Sequence, residues 1–319
     1  MIADPIFLPG HLLDRLKAHG EVSVCDSISS SLEELISRLN GADIAMVGHS
    51  KLPARVFEEA HSLRYVTLWR TGYDDVDLRA ATKHGVAVSN APGYSNEAVA
   101  EHVFALLLSF LRRIPEADYW MREGRFECST LRGRELKGKT MGVIGTGRIG
   151  MRVTEIATCL GMNVLAYDYY PSEDIARTYG FTYADLEALY RESDFITIHL
   201  PLTPKTEGMI GEPELNMMKP TAIIINTARG KIIDQDALVM ALKKRRISGA
   251  CLDVFSVEPP APDDPLLKMD NVILTPHTAF NTIEANQKCT ILNIENIEAF
   301  LSKKPINVVN PEVLSRLKL

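Results

Sequence analysis

Residues 140–150 read TMGVIGTGRIG, an apolar run that leads into three glycines spaced as GxGxxG. The run has the character of a buried strand, and the residues that follow it have a helical pattern. In such a unit the first glycine permits a tight turn, the second lets the backbone approach a pyrophosphate, and the third lets the helix pack closely on the strand. We therefore expect Gly145, Gly147 and Gly150 to bind a dinucleotide at a helix N-terminus.

An acidic residue follows this fingerprint where a ribose would lie. Asp168 ends the next apolar run, NVLAYD. A carboxylate there accepts hydrogen bonds from both ribose hydroxyls of NAD and repels the 2'-phosphate of NADP. Tyr169 and Tyr170 come next, with no Arg or Lys beside them to receive that phosphate. The sequence predicts NAD as the cofactor; the alternatives are NADP, or Asp168 as an ordinary strand-end turn residue.

Length and composition favour a globular protein of two domains. The chain has 319 residues, more than one domain usually holds, with 46% hydrophobic and 24% charged residues. Its formal net charge of -6 does not indicate a basic surface for binding nucleic acid or an anionic membrane. A small anionic substrate would therefore need a local cationic pocket.

Cysteine usage and the apolar runs indicate a cytoplasmic protein. The five cysteines are scattered and lack any CxxC pairing, so we expect a reducing compartment, no disulfide framework and no metal site. The N-terminus, MIADPIFLPG, has no basic segment followed by a long apolar stretch, so no signal peptide is expected. The most apolar run, 103–111, is shorter than the roughly 20 residues that span a bilayer, and it predicts a buried helix.

Short apolar runs alternate with helical patterns along most of the chain, as in an α/β protein with parallel sheets. In the second half the runs lack clean alternation, which is typical of strands buried on both faces. Helices are predicted at 31–39, at 97 to about 125, at 148–160 and at 282–301. The predicted strands are 21–26, 42–48, 64–69, 86–89, 140–145, 163–168, 194–199, 222–226, 249–254 and 272–274.

Two polar residues follow buried strands at the edge where open α/β sheets bind ligands. Arg229, in NTARG, carries a guanidinium fork that suits a carboxylate, although a surface salt bridge is the alternative. Asp253 ends the strand GACLD. Its carboxylate could accept a hydrogen bond from the nicotinamide amide, and a role as a helix cap or turn residue is equally open.

A histidine and a glutamate complete a candidate catalytic set. His277, in LTPHTAF, again follows an apolar strand, and alone it would more often be structural. Glu258, in DVFSVEPP, changes that interpretation. A carboxylate that is hydrogen-bonded to one ring nitrogen fixes the tautomer and favours the protonated ring. The other ring nitrogen is then left to act as acid or base.

These motifs, in this order, resemble the D-isomer-specific 2-hydroxyacid dehydrogenase family. The resemblance extends over nearly the whole chain and includes TGYDDVDL, PGYSNEAVAEH and HLPLTPKTEGMI. It implies two Rossmann-like domains: a flavodoxin-like substrate domain (1–97 with 285–319) and an inserted NAD-binding domain (98–284). It also implies a homodimer built largely through the NAD-binding domains.

The resemblance assigns roles residue by residue. Arg229 falls on the substrate-binding arginine, Glu258 on the histidine-orienting glutamate and His277 on the acid/base histidine. The expected substrate contacts are Arg70, Thr71, Gly72, Tyr94 and Arg229. The expected cofactor contacts are Gly145, Gly147, Arg148, Ile149, Gly150, Asp168, Pro201, Thr206, Thr227, Ala228, Asp253 and Ala279.

The segment PGYSNEAVAEH is most similar to the glycerate dehydrogenase and hydroxypyruvate-glyoxylate reductase branch. The prediction is reversible hydride transfer between NADH and a small 2-oxo acid, with glyoxylate or hydroxypyruvate favoured. The alternatives are a D-lactate or D-3-phosphoglycerate dehydrogenase, or an NAD-responsive, corepressor-like binding protein. Arg70 departs from the family's usual small or apolar residue, so it either reads a second anionic group of the substrate or pairs with Asp74 or Asp75 at the surface.

Overall fold

A computed structural model describes residues 1–315, which divide into two compact units. One consists of Met1–Ser95 with the chain from Asn281 onward, and the other of Asn96–Phe280. The sequence-based division, 1–97 with 285–319 and 98–284, has its boundaries within a few residues of these. Residues 316–319 lie outside the described residues. The assignment of the units as substrate and NAD-binding domains stays a prediction.

The two units contain ten strands and twelve α-helices within the described residues. The strands are β1 (Ile44–Val47), β2 (Tyr65–Leu68), β3 (Ala87–Ser89), β4 (Thr140–Ile144), β5 (Asn163–Tyr167), β6 (Thr182–Tyr183), β7 (Phe195–Ile198), β8 (Ile223–Asn226), β9 (Gly249–Leu252) and β10 (Val272–Leu274). The helices are α1 (Gly10–Lys17), α2 (Leu32–Leu39), α3 (Ala54–Glu59), α4 (Leu78–Lys83), α5 (Asn96–Leu111), α6 (Ile114–Arg122), α7 (Arg148–Cys159), α8 (Glu173–Tyr179), α9 (Leu186–Glu192), α10 (Glu212–Met217), α11 (Gln235–Lys243) and α12 (Ile283–Leu301).

The first unit is built on the parallel sheet β1-β2-β3. Bridges from Ile2 to Val24 and from Ile2 to Met46 extend it, so that the order runs Val24, Ile2, β1, β2, β3. This is the flavodoxin-like order. The predicted strand 21–26 is reduced to the bridge at Val24, because this segment lies at the sheet edge with most of its side chains exposed.

The second unit is a doubly wound sheet whose seven parallel strands run in the order β10-β9-β8-β7-β4-β5-β6. Buried apolar side chains cover both faces, with α5 and α7 on one and α9, α10 and α11 on the other. The chain order reverses between β4 and β7, where Ile144 pairs with Ile198. A crevice outside the carboxyl ends of the strands at such a reversal is where ligands bind in sheets of this kind.

The predicted long helix from 97 to about 125 is wrong as a single element, because it breaks between α5 and α6. Arg113 has a left-handed backbone, with φ of 50°, and Pro115 lies in the first turn of α6. A proline continuing α5 would clash with the carbonyl of Leu111, so the helix ends there. The predicted helix over 282–301 is confirmed, with the Thr282 hydroxyl accepting the Ala285 amide at 3.1 Å. Among residues 1–315, no helix combines the length and the apolarity needed to span a bilayer.

Candidate active site

The glycine fingerprint forms the turn between β4 and α7. A Cβ atom on Gly145, whose φ is 97°, would lie 2.6 Å from the His199 carbonyl oxygen, and one on Gly150 would lie 1.9 Å from the Gly145 oxygen. Around Gly147, the residue before α7, a Cβ atom would meet no described atom within 4 Å. The first turn of α7, which begins at Arg148, is thus open to a phosphate group. This geometry fits a dinucleotide.

Asp168 is tied to the same turn. Its Oδ2 atom accepts the Thr146 amide at 2.7 Å and the Thr146 hydroxyl at 3.0 Å, and its Oδ1 atom accepts the Tyr170 amide at 2.9 Å. Burial raises the pKa of Asp168, but these hydrogen bonds outweigh it and lower the pKa overall, so the carboxylate is ionised at neutral pH. The Tyr183 hydroxyl donates to the Thr146 hydroxyl at 2.9 Å. The sequence analysis did not identify Thr146 and Tyr183 as residues that hold the Asp168 carboxylate and the turn.

His277 and Glu258 form a hydrogen-bonded pair. The Nδ1 atom of His277 lies 2.7 Å from the Oε2 atom of Glu258, and the Oε1 atom accepts the Phe255 amide at 3.0 Å. Burial raises the pKa of Glu258, but the bonds from His277 and Phe255 and the charges of His277 and Arg229 lower it overall. The carboxylate is therefore ionised, and Nδ1 carries a proton. The side chains are 42% and 35% exposed, which leaves the pair accessible to a substrate.

Asp253 holds the loop that carries His277. Its fully buried carboxylate accepts the Thr275 hydroxyl at 2.6 Å and the Thr278 and Ala279 amides at 2.8 and 2.9 Å. Its carbonyl accepts the His277 amide at 2.8 Å, and His277 has a left-handed φ of 53°. These bonds stabilise a conformation that a residue other than glycine seldom adopts. Asp253 thus has the turn role that the sequence left open, while its contact with nicotinamide stays a prediction.

A second histidine extends this loop network. The Nε2 atom of His102, on α5, lies 3.0 Å from the Thr275 hydroxyl, which itself donates to Asp253. His102 is therefore the donor to Thr275. Sequence analysis assigned it no partner, because the two residues are far apart in the chain.

Arg229 follows β8 in a turn fixed by Asn226. The Asn226 side chain donates to the Arg229 carbonyl at 2.9 Å and accepts the Ala228 amide at 3.0 Å. The Arg229 guanidinium donates to the Ala228 carbonyl at 2.8 Å, and its charge helps to lower the pKa of Glu258. Arg229, Glu258 and His277 are thus brought into one cluster within a single unit.

The other predicted cofactor residues differ in their surroundings. The Thr206 hydroxyl closes its own turn by donating to the Pro201 carbonyl at 2.7 Å, and Pro201 is exposed. Ala279 is buried. The hydroxyl of Thr227 is buried without a hydrogen-bond partner among the described residues. A buried, unsatisfied hydroxyl two residues before Arg229 is consistent with a site that a bound group completes.

The predicted substrate residues of the first unit follow β2 and β3. Arg70 pairs with Asp75 at 2.7 Å and donates to the carbonyls of Gly48 and Ser50, with 19% of its side chain exposed. The Thr71 hydroxyl donates to the Ala91 carbonyl at 2.8 Å. In the part of the chain that the structure describes, the Thr71 and Gly72 amides donate to no acceptor, and Tyr94 is buried.

Comparison with known proteins places this chain in a family. The family model "D-isomer specific 2-hydroxyacid dehydrogenase, NAD binding domain" matches residues 104–279. A glyoxylate reductase of Korarchaeum cryptofilum is 41% identical over 96% of this chain and 95% of its own length. A D-3-phosphoglycerate dehydrogenase of Archaeoglobus fulgidus is 40% identical over 97% of this chain and 59% of its own.

Solved structures agree with this assignment. An acyclic imino acid reductase in complex with NADPH and D-Arg superposes with a TM-score of 0.88, at 36% identity, covering 96% of this chain and 97% of that one. D-lactate dehydrogenase from Aquifex aeolicus, complexed with NAD and lactic acid, has a TM-score of 0.83, at 33% identity, covering 94% and 95%. The family model and these relatives show that the chain belongs to the D-isomer-specific 2-hydroxyacid dehydrogenases, a family of NAD-binding oxidoreductases.

Proposed function

We propose that this chain is an NAD-dependent reductase of small 2-oxo acids, with glyoxylate or hydroxypyruvate as substrate and a D-2-hydroxy acid as product. The observation that carries the proposal is the 2.7 Å contact between His277 and Glu258, within the influence of the Arg229 charge. A proton donor beside a cation is what reduction of a carbonyl next to a carboxylate requires. The glyoxylate reductase among the relatives supports this substrate class.

In this mechanism Arg229 binds the substrate carboxylate. NADH, when bound, supplies the hydride. Protonated His277 donates its Nε2 proton to the carbonyl oxygen as charge develops there, and Glu258 holds the ring through Nδ1. In the reverse direction, neutral His277 accepts the hydroxyl proton. Each step uses the ring in one protonation state, so the two directions favour opposite ends of the pH range.

NAD rather than NADP is proposed as the cofactor because of Asp168. Its ionised carboxylate lies beside the fingerprint turn and would repel a 2'-phosphate. The relatives of known structure include one complex with NADPH and one with NAD, so the proposed preference for NAD rests on the Asp168 side chain. NADP is the alternative.

A homodimer in the cytoplasm is proposed as the working form. None of the residues of helix α6 is buried. Three of them, Ile114, Tyr119 and Met121, have large hydrophobic side chains that are more than half exposed. The nearby Phe126 is 92% exposed. An apolar surface of this kind is typical of a protein interface. The cytoplasm is proposed from the five scattered cysteines, which lack any CxxC pairing.

Turnover of NADH with glyoxylate, hydroxypyruvate, pyruvate and phosphohydroxypyruvate tests the proposal. Preference for either of the first two supports it, whereas preference for pyruvate or phosphohydroxypyruvate would favour a D-lactate or D-3-phosphoglycerate dehydrogenase. Binding of NADH without turnover of any 2-oxo acid would favour the NAD-responsive binding protein.

A further inference from the structure

Gln235, the first residue of α11, makes three hydrogen bonds that connect separate loops. Its Oε1 atom accepts both the hydroxyl and the amide of Ser256, at 2.7 and 3.2 Å. Its Nε2 atom donates to the Asp264 Oδ2 atom at 2.9 Å. The other oxygen of Asp264 accepts the Leu266 amide at 2.9 Å, which fixes the orientation of that carboxylate. Every polar atom of the Gln235 amide group is thus engaged.

The Ser256 end of this network lies next to the group that holds Glu258. Ser256 follows Phe255, whose amide donates to the Glu258 carboxylate at 3.0 Å. On its other side the Phe255–Ser256 peptide rests against Gly230. A Cβ atom on Gly230 would lie 2.0 Å from the Phe255 carbonyl carbon and oxygen, so only glycine permits this approach. Gly230 directly follows Arg229, and the peptide is held between Gly230 and Gln235.

We propose that Gln235 is a positioning residue for the catalytic pair: by holding Ser256 it orients the Phe255 amide, which in turn fixes the Glu258 carboxylate toward His277. The proposal rests on the reductase function proposed above. Gln235 does not touch the reacting atoms, so its loss should lower kcat more than it changes the KM for the 2-oxo acid. Small displacements of an acid/base group carry large kinetic costs, and we expect a fall of roughly ten- to a hundredfold in kcat.

Two variants separate positioning from simple packing. Gln235→Met keeps the length of the side chain and removes its hydrogen bonds. The double variant Gln235→Glu with Asp264→Asn exchanges the two end groups, so the introduced carboxylate still accepts both Ser256 groups and receives a bond from the introduced amide. Gln287→Met, at an exposed position of α12, is the matched control. Should Gln235→Met fail to fold, Ser256→Ala removes one of the two donors with a smaller change.

The measurements are kcat, KM and pH dependence for the preferred 2-oxo acid, together with an NMR titration of the His277 ring in protein without substrate. We expect Gln235→Met to lower kcat and to move both the reductive limb and the midpoint of the ring titration to lower pH, with rescue in the exchanged pair. Unchanged titration and kinetics in Gln235→Met would overturn the proposal, as would an exchanged pair that stays as impaired as Gln235→Met. If the unmodified protein reduces no 2-oxo acid, the proposed reductase function fails, and the ring titration still decides whether Gln235 positions the pair.

Discussion

The Nδ1 atom of His277 lies 2.7 Å from the Oε2 atom of Glu258, and the backbone of His277 is left-handed, with φ of 53°. The carboxylate therefore fixes the ring while Asp253 fixes the main chain beneath it. With Nδ1 engaged, Nε2 is the nitrogen left for the substrate. This arrangement places the ring beside a carboxylate that a substitution can neutralise.

Glu258→Gln should move the reductive limb of the pH–rate profile to lower pH. The pKa of Glu258 is lowered, so its negative charge is present across the working pH range and favours the protonated ring. Glutamine keeps the hydrogen-bond acceptor but removes that charge. The check is kcat/KM for 2-oxo acid reduction from pH 5 to 9, with the exposed Glu295→Gln as control. An unaltered profile in Glu258→Gln would contradict the pairing.

Asp168→Ala should raise the activity with NADPH relative to NADH. Removing the carboxylate deletes the repulsion of a 2'-phosphate and the acceptor for the ribose hydroxyls. A charge-assisted hydrogen bond contributes about 1.5 to 3 kcal/mol, so the efficiency with NADH should fall roughly ten- to a hundredfold. Steady-state kinetics with both cofactors provide the measurement. Asp174→Ala, at an 89% exposed side chain, is the control, and equal use of the two cofactors by the unmodified protein would sink the hypothesis.

Arg70→Ala should impair substrates that carry a second anionic or polar group and spare glyoxylate, which has none. Loss of one charge-assisted hydrogen bond should decrease kcat/KM for hydroxypyruvate or phosphohydroxypyruvate roughly ten- to a hundredfold. Arg70 also pairs with Asp75 and holds the Gly48 and Ser50 carbonyls. An equal loss for all substrates would therefore identify it as a structural residue. The exposed Arg79→Ala serves as control.

Glutamate substitutions at Tyr119 and Met121 together should convert a dimer into a monomer. Both side chains are more than half exposed on α6, and two charges buried in an interface without partners would oppose association. The molar mass by light scattering should fall from twice 35.4 kDa to that value. Met240→Glu, on the exposed side of α11, should leave the mass unaltered. A monomeric unmodified protein would refute the dimer.

Acid should destabilise the protein through His199. Burial lowers the pKa of His199 to about 3 from an ordinary value of 6.5, so the folded state holds the ring neutral while the unfolded state binds a proton below pH 6.5. Above pH 6.5 the ring is neutral in both states, and its burial leaves the free energy of unfolding independent of pH. As the pH falls from 6.5 toward 3, protonation of the unfolded state lowers the free energy of unfolding by up to about 1.4 kcal/mol per pH unit. Urea unfolding at pH 7 and 5 should show a smaller drop in His199→Gln than in the unmodified protein. An equal drop in both would exclude His199 as the cause.

The sequence alone determined the class of fold and predicted the cluster of Arg229, Glu258 and His277 that the structure contains. Strands buried on both faces appear as unbroken apolar runs, and six of the seven in the second unit were predicted within a residue or two of their ends. The fingerprint glycines and Asp168 were predicted because dinucleotide-binding units place glycines in the turn and an acidic residue after the next strand at a fixed spacing. Arg229, Glu258 and His277 follow strands of one parallel sheet or lie in the adjoining loops, so their common location followed from topology.

Only the tertiary structure decided how these residues are held. The Gln235–Ser256 and His102–Thr275 bonds and the approach of Gly230 to the Phe255 carbonyl leave no periodic signal in the sequence. The left-handed backbone of His277 is stabilised by Asp253, which precedes it by a full loop and a strand. Such contacts depend on which side chains packing brings within about 3 Å of one another, a distance that local propensity does not encode.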